Sequence, residues 1–300
     1  MTPTLEVQDV RKSYGSFEAV KGISISVPPG TIFGMLGPNG AGKTTTIRMI
    51  MDIIAPDAGE VRFFGHRRTR ADLNRVGYLP EERGLYRKMK VLDHLLFLGE
   101  LRGVKKAEAL PKIESWLDRL DVAEWSGRKV EELSKGMQQK IQLVGTLLHD
   151  PEIVILDEPF SGLDPINQGL FKETLAEYKT QGRTIVFSTH VMEQAEKLCD
   201  HICLISRGRA VLQGELAGIK RDMSGHSYRL RAEGDLSKVP SVPGVEQVIE
   251  REGTVKILVS PETRGSDVLR ELVSFLEVQE FAGEEPDLEE IFVKAVKDAA

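Results

Sequence analysis

Two cysteines in 300 residues, Cys199 and Cys203, are too few for a disulfide framework and fit a reducing compartment. Aromatic side chains make up 6% of the chain and tryptophan occurs twice, so Trp116 and Trp125 are expected to pack in cores rather than to form a ligand cage. No apolar stretch approaches the ~20 residues that a membrane helix needs. The segment from Met1 to Arg11 carries Glu6, Asp9 and Arg11 and has no apolar stretch of the signal-peptide kind. The chain is therefore expected not to cross a membrane itself. A basic excess is missing too: 40 Lys and Arg stand against 46 Asp and Glu, a net charge of −6, which argues against a nucleic-acid backbone as main partner. What the chain does have is 41% hydrophobic and 29% charged residues, a globular profile long enough for one large domain and a small one.

The run Cys199-Asp200-His201-Ile202-Cys203 has metal-ligating residue types, but a site would need a fourth ligand. Apolar Ile202, Leu204 and Ile205 instead suggest a strand entering a core, with small buried thiols.

Hydrophobic periodicity orders the rest. Leu5 to Gln8 and Ile23 to Val27 alternate with period two, as half-buried antiparallel strands do. Pro28-Pro29-Gly30 reads as a turn. Thr31 to Leu36 is a nearly continuous apolar run, suited to a strand covered on both faces, and a helical pattern runs from Lys43 to about Ile53. From about Val91 to His149 the pattern is mostly helical, with Leu92, Leu95 and Leu96 on one face and Ile113, Trp116, Leu117 and Leu120 on another. Apolar β-branched strands return at Ile153 to Leu156 and Thr184 to Ser188, with helices between and after them. That alternation predicts an α/β core with a mainly parallel sheet, into which the helical block of residues 91–150 is inserted.

Near residue 221 the composition changes, and Arg221-Asp222-Met223-Ser224-Gly225 reads as a linker. Beyond it lie strands at Tyr228 to Arg231 and Val255 to Val259, a hairpin turn at Glu252-Gly253, and helices near Ser266–Leu276 and Asp287–Lys297. Asp287 and Glu290 have capping-box spacing, and Leu288, Ile291, Phe292, Ala295 and Val296 give the last helix an apolar face. The expected division is residues 1–220 and a small α+β domain of residues 221–300.

Gly37-Pro38-Asn39-Gly40-Ala41-Gly42-Lys43-Thr44-Thr45 fits the phosphate-binding pattern G-x-x-x-x-G-K-[ST] and sits between a predicted strand and a predicted helix. Glycines let backbone N–H groups face a polyanion, and the helix N-terminus adds free donors and partial positive charge. Lys43 is expected to reach the β- and γ-phosphates, and the Thr44 hydroxyl to ligate Mg²⁺. A second strand ends in Asp157-Glu158-Pro159. Ligand sites in open α/β sheets lie at the carboxyl ends of strands, so Asp157 is assigned to the Mg²⁺ shell and Glu158 to polarising an attacking water. Taken alone, such an acidic pair could equally be a solvated strand end.

In this order and spacing the motifs resemble the ATP-binding cassette ATPases over roughly residues 4–220. Leu133-Ser134-Lys135-Gly136-Met137-Gln138-Gln139 resembles the family's signature, usually LSGGQ; Lys135 and Met137 depart from it and are read as tolerated variants. Ser161-Gly162-Leu163-Asp164-Pro165 resembles the D-loop, and Ser188-Thr189-His190 the switch histidine. Tyr14 falls where the family stacks an aromatic on adenine. The resemblance implies a P-loop NTPase core with an antiparallel β subdomain and the inserted helical subdomain. It also implies that Ser134, Lys135, Gly136, Met137 and Gln138 face the γ-phosphate held by a second chain, so that two cassettes sandwich two ATP molecules as a homodimer or heterodimer. Glu81, in Val76-Gly77-Tyr78-Leu79-Pro80-Glu81, stands where the family usually has glutamine. It is assigned as a further Mg²⁺ ligand, against the plainer reading of an acid paired with Arg83 and turned away. The stretch from Glu81 to Tyr86 and the closing Asp287-Leu288-Glu289-Glu290-Ile291-Phe292 resemble an exporter-type subgroup with an accessory domain.

The expectation is thus an ATP-hydrolysing subunit on the cytoplasmic face of a membrane, using ATP and Mg²⁺ to drive integral membrane permease subunits, with export the favoured direction. A ribosome- or DNA-associated cassette ATPase is the alternative, but such proteins usually carry paired cassettes, long coiled coils or zinc modules. A non-hydrolysing switch would be expected to lack Glu158 or His190.

Overall fold

The structure, a computed structural model, describes residues 2–82, 84–223, 227–251 and 254–298. Arg83, the linker residues Ser224 and Gly225, and the turn residues Glu252 and Gly253 lie outside these. The chain divides into two compact units, Met1–Gly214 and Glu215–Ala300. The first thus closes at Gly214 rather than near residue 220.

The first unit opens with β1 (Leu5–Tyr14) and β2 (Phe17–Val27), followed by β3 (Ile32–Leu36) and α1 (Lys43–Ile50). Then come β4 (Ala58–Phe63), β5 (His66–Arg67), α2 (Arg70–Leu73) and β6 (Val76–Leu79). Helices α3 (Val91–Leu101), α4 (Lys106–Arg119) and α5 (Lys135–Leu147) form the helical block. The chain returns through β7 (Ile153–Asp157), α6 (Pro165–Thr180), β8 (Thr184–Thr189), α7 (Met192–Leu198), β9 (His201–Ser206) and β10 (Arg209–Glu215). Helix α1 is shorter than the sequence pattern suggests, because Asp52 takes a left-handed φ of 58° just after it.

Two sheets result. One is antiparallel around β1, in the order β2-β1-β4-β5. The other has the order β10-β9-β3-β8-β7-β6, and β9, β3, β8, β7 and β6 run parallel. Every residue of β3, β7 and β8 is buried, the signature of strands covered on both faces. The continuous apolar runs of the sequence are therefore central strands. Val7, Ile23 and Ile25 of the antiparallel sheet share one core with Met35, Ile155, Val186 and Cys203 of the parallel sheet and with Ile47 and Ile50 of α1. The helical block has its own core around Leu95, Ile113, Leu117, Ile141 and Val144, against which Trp116 packs.

Polar side chains of α5 tie the helical block to the strand ends. Gln142 Nε2 donates to the Pro80 carbonyl at 3.0 Å, and Gln139 Nε2 to the Pro159 carbonyl at 3.3 Å. One helix thereby grips the carboxyl ends of both β6 and β7.

The second unit begins with α8 (Leu216–Met223), which occupies part of the segment read as linker. It continues with β11 (Ser227–Gly234), β12 (Val245–Arg251), β13 (Thr254–Val259), α9 (Gly265–Leu272), β14 (Leu276–Gly283) and α10 (Leu288–Asp298). The strands form an antiparallel sheet in the order β12-β13-β11-β14. Leu230, Val255, Ile257, Val268 and Leu272 make its core. The capping box at α10 is present: the Glu290 N–H donates to Asp287 Oδ1 at 2.9 Å, and the Asp287 N–H to Glu290 Oε2 at 3.3 Å. Glu290 also pairs with buried Lys256 at 2.8 Å, which explains a lysine in an otherwise apolar strand. Strand β14 is unexpected, since the helix pattern near Ser266–Leu276 ends early and Leu276 starts a strand.

Candidate functional site

The parallel strands set the site's position. Their carboxyl ends share one edge, and each delivers one segment there: the loop of residues 37–42 after β3, Pro80 and Glu81 after β6, Asp157 and Glu158 at the end of β7, and Thr189 and His190 at the end of β8.

The glycine loop passes from β3 into α1 with φ of 154° at Gly37, 76° at Gly40 and 108° at Gly42. A Cβ at Gly37 would stand 2.1 Å from the Ile205 carbonyl oxygen, so only glycine fits there. The Lys43 ammonium lies inside the loop, donating to the carbonyls of Gly37 at 2.7 Å and Pro38 at 3.2 Å. The N-terminal N–H groups of α1, from Lys43 through Thr45, have no intrahelical partners and face the same edge as the lysine. Asn39 and Gly40 form the exposed outer part of the loop, while Ala41 is buried beneath it.

At the end of β7 two consecutive acids serve one site, although neighbouring strand residues ordinarily point to opposite faces. The break comes at Glu158, whose φ is +49°. Its Oε1 lies 3.4 Å from Lys43 Nζ, an ion pair without hydrogen-bond geometry, and its Oε2 lies 3.1 Å from His190 Nδ1. An ionised carboxylate only accepts, so Nδ1 carries the proton in this pair. Asp157 is fully buried, and its Oδ1 accepts from the Thr44 hydroxyl at 3.2 Å and the Ser188 hydroxyl at 2.5 Å. Burial pushes the Asp157 carboxyl above the usual carboxylate range, against the opposing hydrogen bonds from Ser188 and Thr44. Its Oδ2 is buried without a hydrogen-bond partner. An orphaned carboxylate oxygen beside a threonine hydroxyl is an unfinished set of hard oxygen donors, and a divalent cation such as Mg²⁺ fits it.

Glu81 is exposed and lines a cavity of about 460 Å³ together with Glu82, Arg87, Gln138, Gln139, Glu158 and Ser161. It thus shares a wall with Glu158. Among the described residues no contact joins it to Thr44 or Asp157. Glu82 reaches Arg48 of α1 at 3.9 Å.

The signature residues occupy the start of α5. Ser134 caps the helix, accepting from the Met137 N–H at 3.3 Å, which leaves its hydroxyl proton to donate elsewhere. Lys135 is exposed, and Gly136 lies near Asn167 and Leu163 of the D-loop region, 3.7 and 3.9 Å from an added Cβ. Gln138 turns inward, donating to the carbonyls of Val130 at 3.2 Å and Leu133 at 3.1 Å, so its amide braces the segment that carries the signature. Asp164 caps α6 and accepts from the Asn167 N–H at 3.0 Å; these Asn167 hydrogen bonds hold its carboxyl below the usual range.

Tyr14 ends β1 with its ring half exposed, paired in register with Phe17, which is more exposed still. The hairpin meets the loop close by, since a Cβ at Gly42 would stand 2.9 Å from the Ala19 carbonyl oxygen. Phe17 is thus a second ring available for stacking. Its only sequence signal is its place opposite Tyr14 across a two-residue turn. Cys199 packs under Gly34 and Cys203 sits in the core, where burial pushes its thiol up to about 12.

Comparison with known proteins agrees with this geometry. Residues 20–161 match the family described as ABC transporter, and residues 214–296 match the C-terminal domain of DrrA1-3-like ATP-binding proteins. The ABC transporter ATP-binding protein YhaQ of Bacillus subtilis (strain 168) is 42% identical over 97% of this chain and 98% of its own length. The Nod factor export ATP-binding protein I of Paraburkholderia xenovorans (strain LB400) is 41% identical over 70% of each chain. The linearmycin resistance ATP-binding protein LnrL of Bacillus subtilis (strain 168) is 31% identical over 96% of this chain and 97% of its own. Among solved structures, an ATP-binding subunit of an ABC transporter superposes with a TM-score of 0.68, at 31% identity, over 73% of this chain and 92% of its own. These relatives are transporter components rather than ribosome- or DNA-associated ATPases. With these relatives matching it over most of its length, the chain belongs to the ABC transporter ATP-binding proteins and is an ATP-hydrolysing subunit of that family.

Proposed function

We propose that this chain powers the export of a substrate through a separate membrane permease, acting at the cytoplasmic face of the membrane. The observation that carries the reading is the meeting of Lys43, Glu158 and His190 within 3.4 Å contacts at the end of the parallel sheet, beside the Thr44–Asp157 pair. Lys43 and the N–H groups of residues 37–45 bind the triphosphate, and Tyr14 stacks on the adenine. Thr44 and Asp157 would hold Mg²⁺, and Glu81 would offer it a further oxygen. When bound, the ion neutralises charge on the β- and γ-phosphates. Glu158 takes a proton from the attacking water, and His190, held 3.1 Å from the Glu158 carboxylate, faces the γ-phosphate.

Ser134, Lys135, Gly136 and Met137 of one chain meet the γ-phosphate bound by another, and Gln138 keeps their segment in place. Two chains thereby enclose two nucleotides. The names of two relatives, a Nod factor export protein and a linearmycin resistance protein, support export as the direction. The test is recovery of an integral membrane protein with the tagged chain from its native membrane, followed by reconstitution. ATP-dependent substrate movement out of the compartment that contains this chain is expected. Transport into that compartment, or full transport with Lys43→Ala, would refute the reading.

A further inference from the structure

Successive strand residues face opposite ways, so Asp157 and Glu158 can serve one site only if the chain twists between them. The twist is the left-handed φ of +49° at Glu158, a conformation unfavourable for a residue with a side chain. Something must hold it.

Ser188 is the parallel partner of Asp157 in the β7–β8 register, so the two side chains emerge on the same face at adjacent strand ends. The Ser188 hydroxyl donates to Asp157 Oδ1 at 2.5 Å and accepts the backbone N–H of Glu158 at 3.0 Å. Ser188 is completely buried, so no water competes for either bond. One hydroxyl has one proton. With that proton committed to Asp157, its lone pair is turned to the Glu158 N–H, and each bond orients the other. The same Oδ1 of Asp157 also receives Thr44, so a chain of contacts runs from the start of α1 through Asp157 and Ser188 to the backbone of Glu158.

We infer that Ser188 is a positioning residue for ATP hydrolysis: its hydroxyl fixes the twisted Glu158 backbone relative to Asp157 and so aims the Glu158 carboxylate. The inference rests on the assignment of Glu158 as base. Ser188 touches neither nucleotide nor water in this role. It acts through the residue after Asp157, so it sets turnover rather than nucleotide affinity. An alanine in its place leaves the Glu158 N–H buried without an acceptor and frees the backbone to relax toward the ordinary pleat.

The experiment measures Ser188→Ala, Glu158→Gln and the double variant as full-length chains with MgATP. Displacing a catalytic group by about 1 Å costs on the order of 10²-fold, so Ser188→Ala is expected to lower kcat by about 10- to 100-fold. KM and the Kd for ATP should stay within about twofold of wild type. In the Glu158→Gln background, where there is no carboxylate to aim, adding Ser188→Ala should change kcat by less than about twofold, because groups acting as one unit are not additive. A kcat within twofold of wild type for Ser188→Ala, or an equal loss in both backgrounds, would overturn the inference. Wild-type turnover by Glu158→Gln alone would instead remove the base assignment beneath it. Should Ser188→Ala not fold, Ser188→Cys keeps the volume and weakens both hydrogen bonds, and the same comparison applies.

Discussion

Replacing Glu158 by glutamine deletes a charge and leaves the volume nearly unchanged, so its effects separate catalysis from binding. The carboxylate lies 3.4 Å from Lys43 Nζ and 3.1 Å from His190 Nδ1, and its side chain is 9% exposed. A positioned base contributes about 10²- to 10⁴-fold, and the variant should lose at least the lower figure in kcat, about 2.7 kcal/mol. Binding should move the other way. Two unit charges 3.4 Å apart attract by about 5 kcal/mol before solvation at an effective dielectric constant of 20. In the wild type, that attraction ties Lys43 to Glu158 in competition with the phosphates. Glutamine removes the competitor and the repulsion it exerts on the triphosphate, so the Kd for MgATP should fall, by about tenfold if 1.4 kcal/mol of the gross attraction survives solvation. Titration with a fluorescent ATP analogue, steady-state turnover and sedimentation in ATP report the three consequences: tighter binding, slow hydrolysis and an accumulated ATP-bound dimer. Turnover within a few fold of wild type would refute the role of Glu158, and weaker ATP binding would refute the competition for Lys43.

Three further outcomes follow from other parts of the chain. Glu81→Gln should strengthen ATP binding without Mg²⁺ and narrow the gap between affinities with and without the metal, because a carboxylate near a triphosphate is repelled unless a cation lies between them; identical affinities for variant and wild type would remove Glu81 from the site. A chain ending at Gly214 should fold and bind ATP, since the phosphate loop, Asp157, Glu158 and His190 all lie in the first unit, and a soluble, folded product that fails to bind would defeat that division. Burial without any hydrogen bond lowers the His94 pKa to about 4 from an ordinary value of 6.5. The unfolded chain therefore binds more protons between these values, and stability is complete above pH 6.5 and lost as pH falls toward 4, by about 3 kcal/mol. His94→Leu should reduce the slope of the stability profile over that window in urea titrations, with His149, lowered to about 4 likewise, keeping its share, and an unchanged slope would refute the assignment.

How far the sequence carries depends on how local the cause is. Ile32–Leu36, Ile153–Asp157 and Thr184–Thr189 are legible because two covered faces demand apolar residues at most positions, a constraint visible in five or six letters. The α10 capping box is legible for the same reason, with donor and acceptor three residues apart. Strand β14 is not, because Leu276–Gly283 alternates weakly and becomes a strand only by pairing with β11 about fifty residues earlier. The buried Lys256 reads as a surface residue until α10 brings Glu290 to it.

The same distinction runs through the site itself. Residues whose chemistry depends on their own spacing, the glycines of the loop with Lys43 and Thr44, declare themselves in one line of sequence. Residues whose contribution depends on strand register do not. Ser188 is one serine among others until β8 is laid beside β7, and then its hydroxyl is bonded both to Asp157 and to the backbone of Glu158. Gln138 errs in the other direction, since motif order places it with the phosphate contacts while its amide is spent on the carbonyls of Val130 and Leu133. Its neighbour Gln139 and the more distant Gln142 hold Pro159 and Pro80, the residues that follow the acid pair and precede Glu81. Helix α5 therefore carries the signature at its N-terminus and grips both acidic strand ends along its length. If a nucleotide on a second chain shifts that helix, as the proposed function requires, Glu81 and the turn after Glu158 are expected to move together, because Gln142 and Gln139 of the same helix hold Pro80 and Pro159.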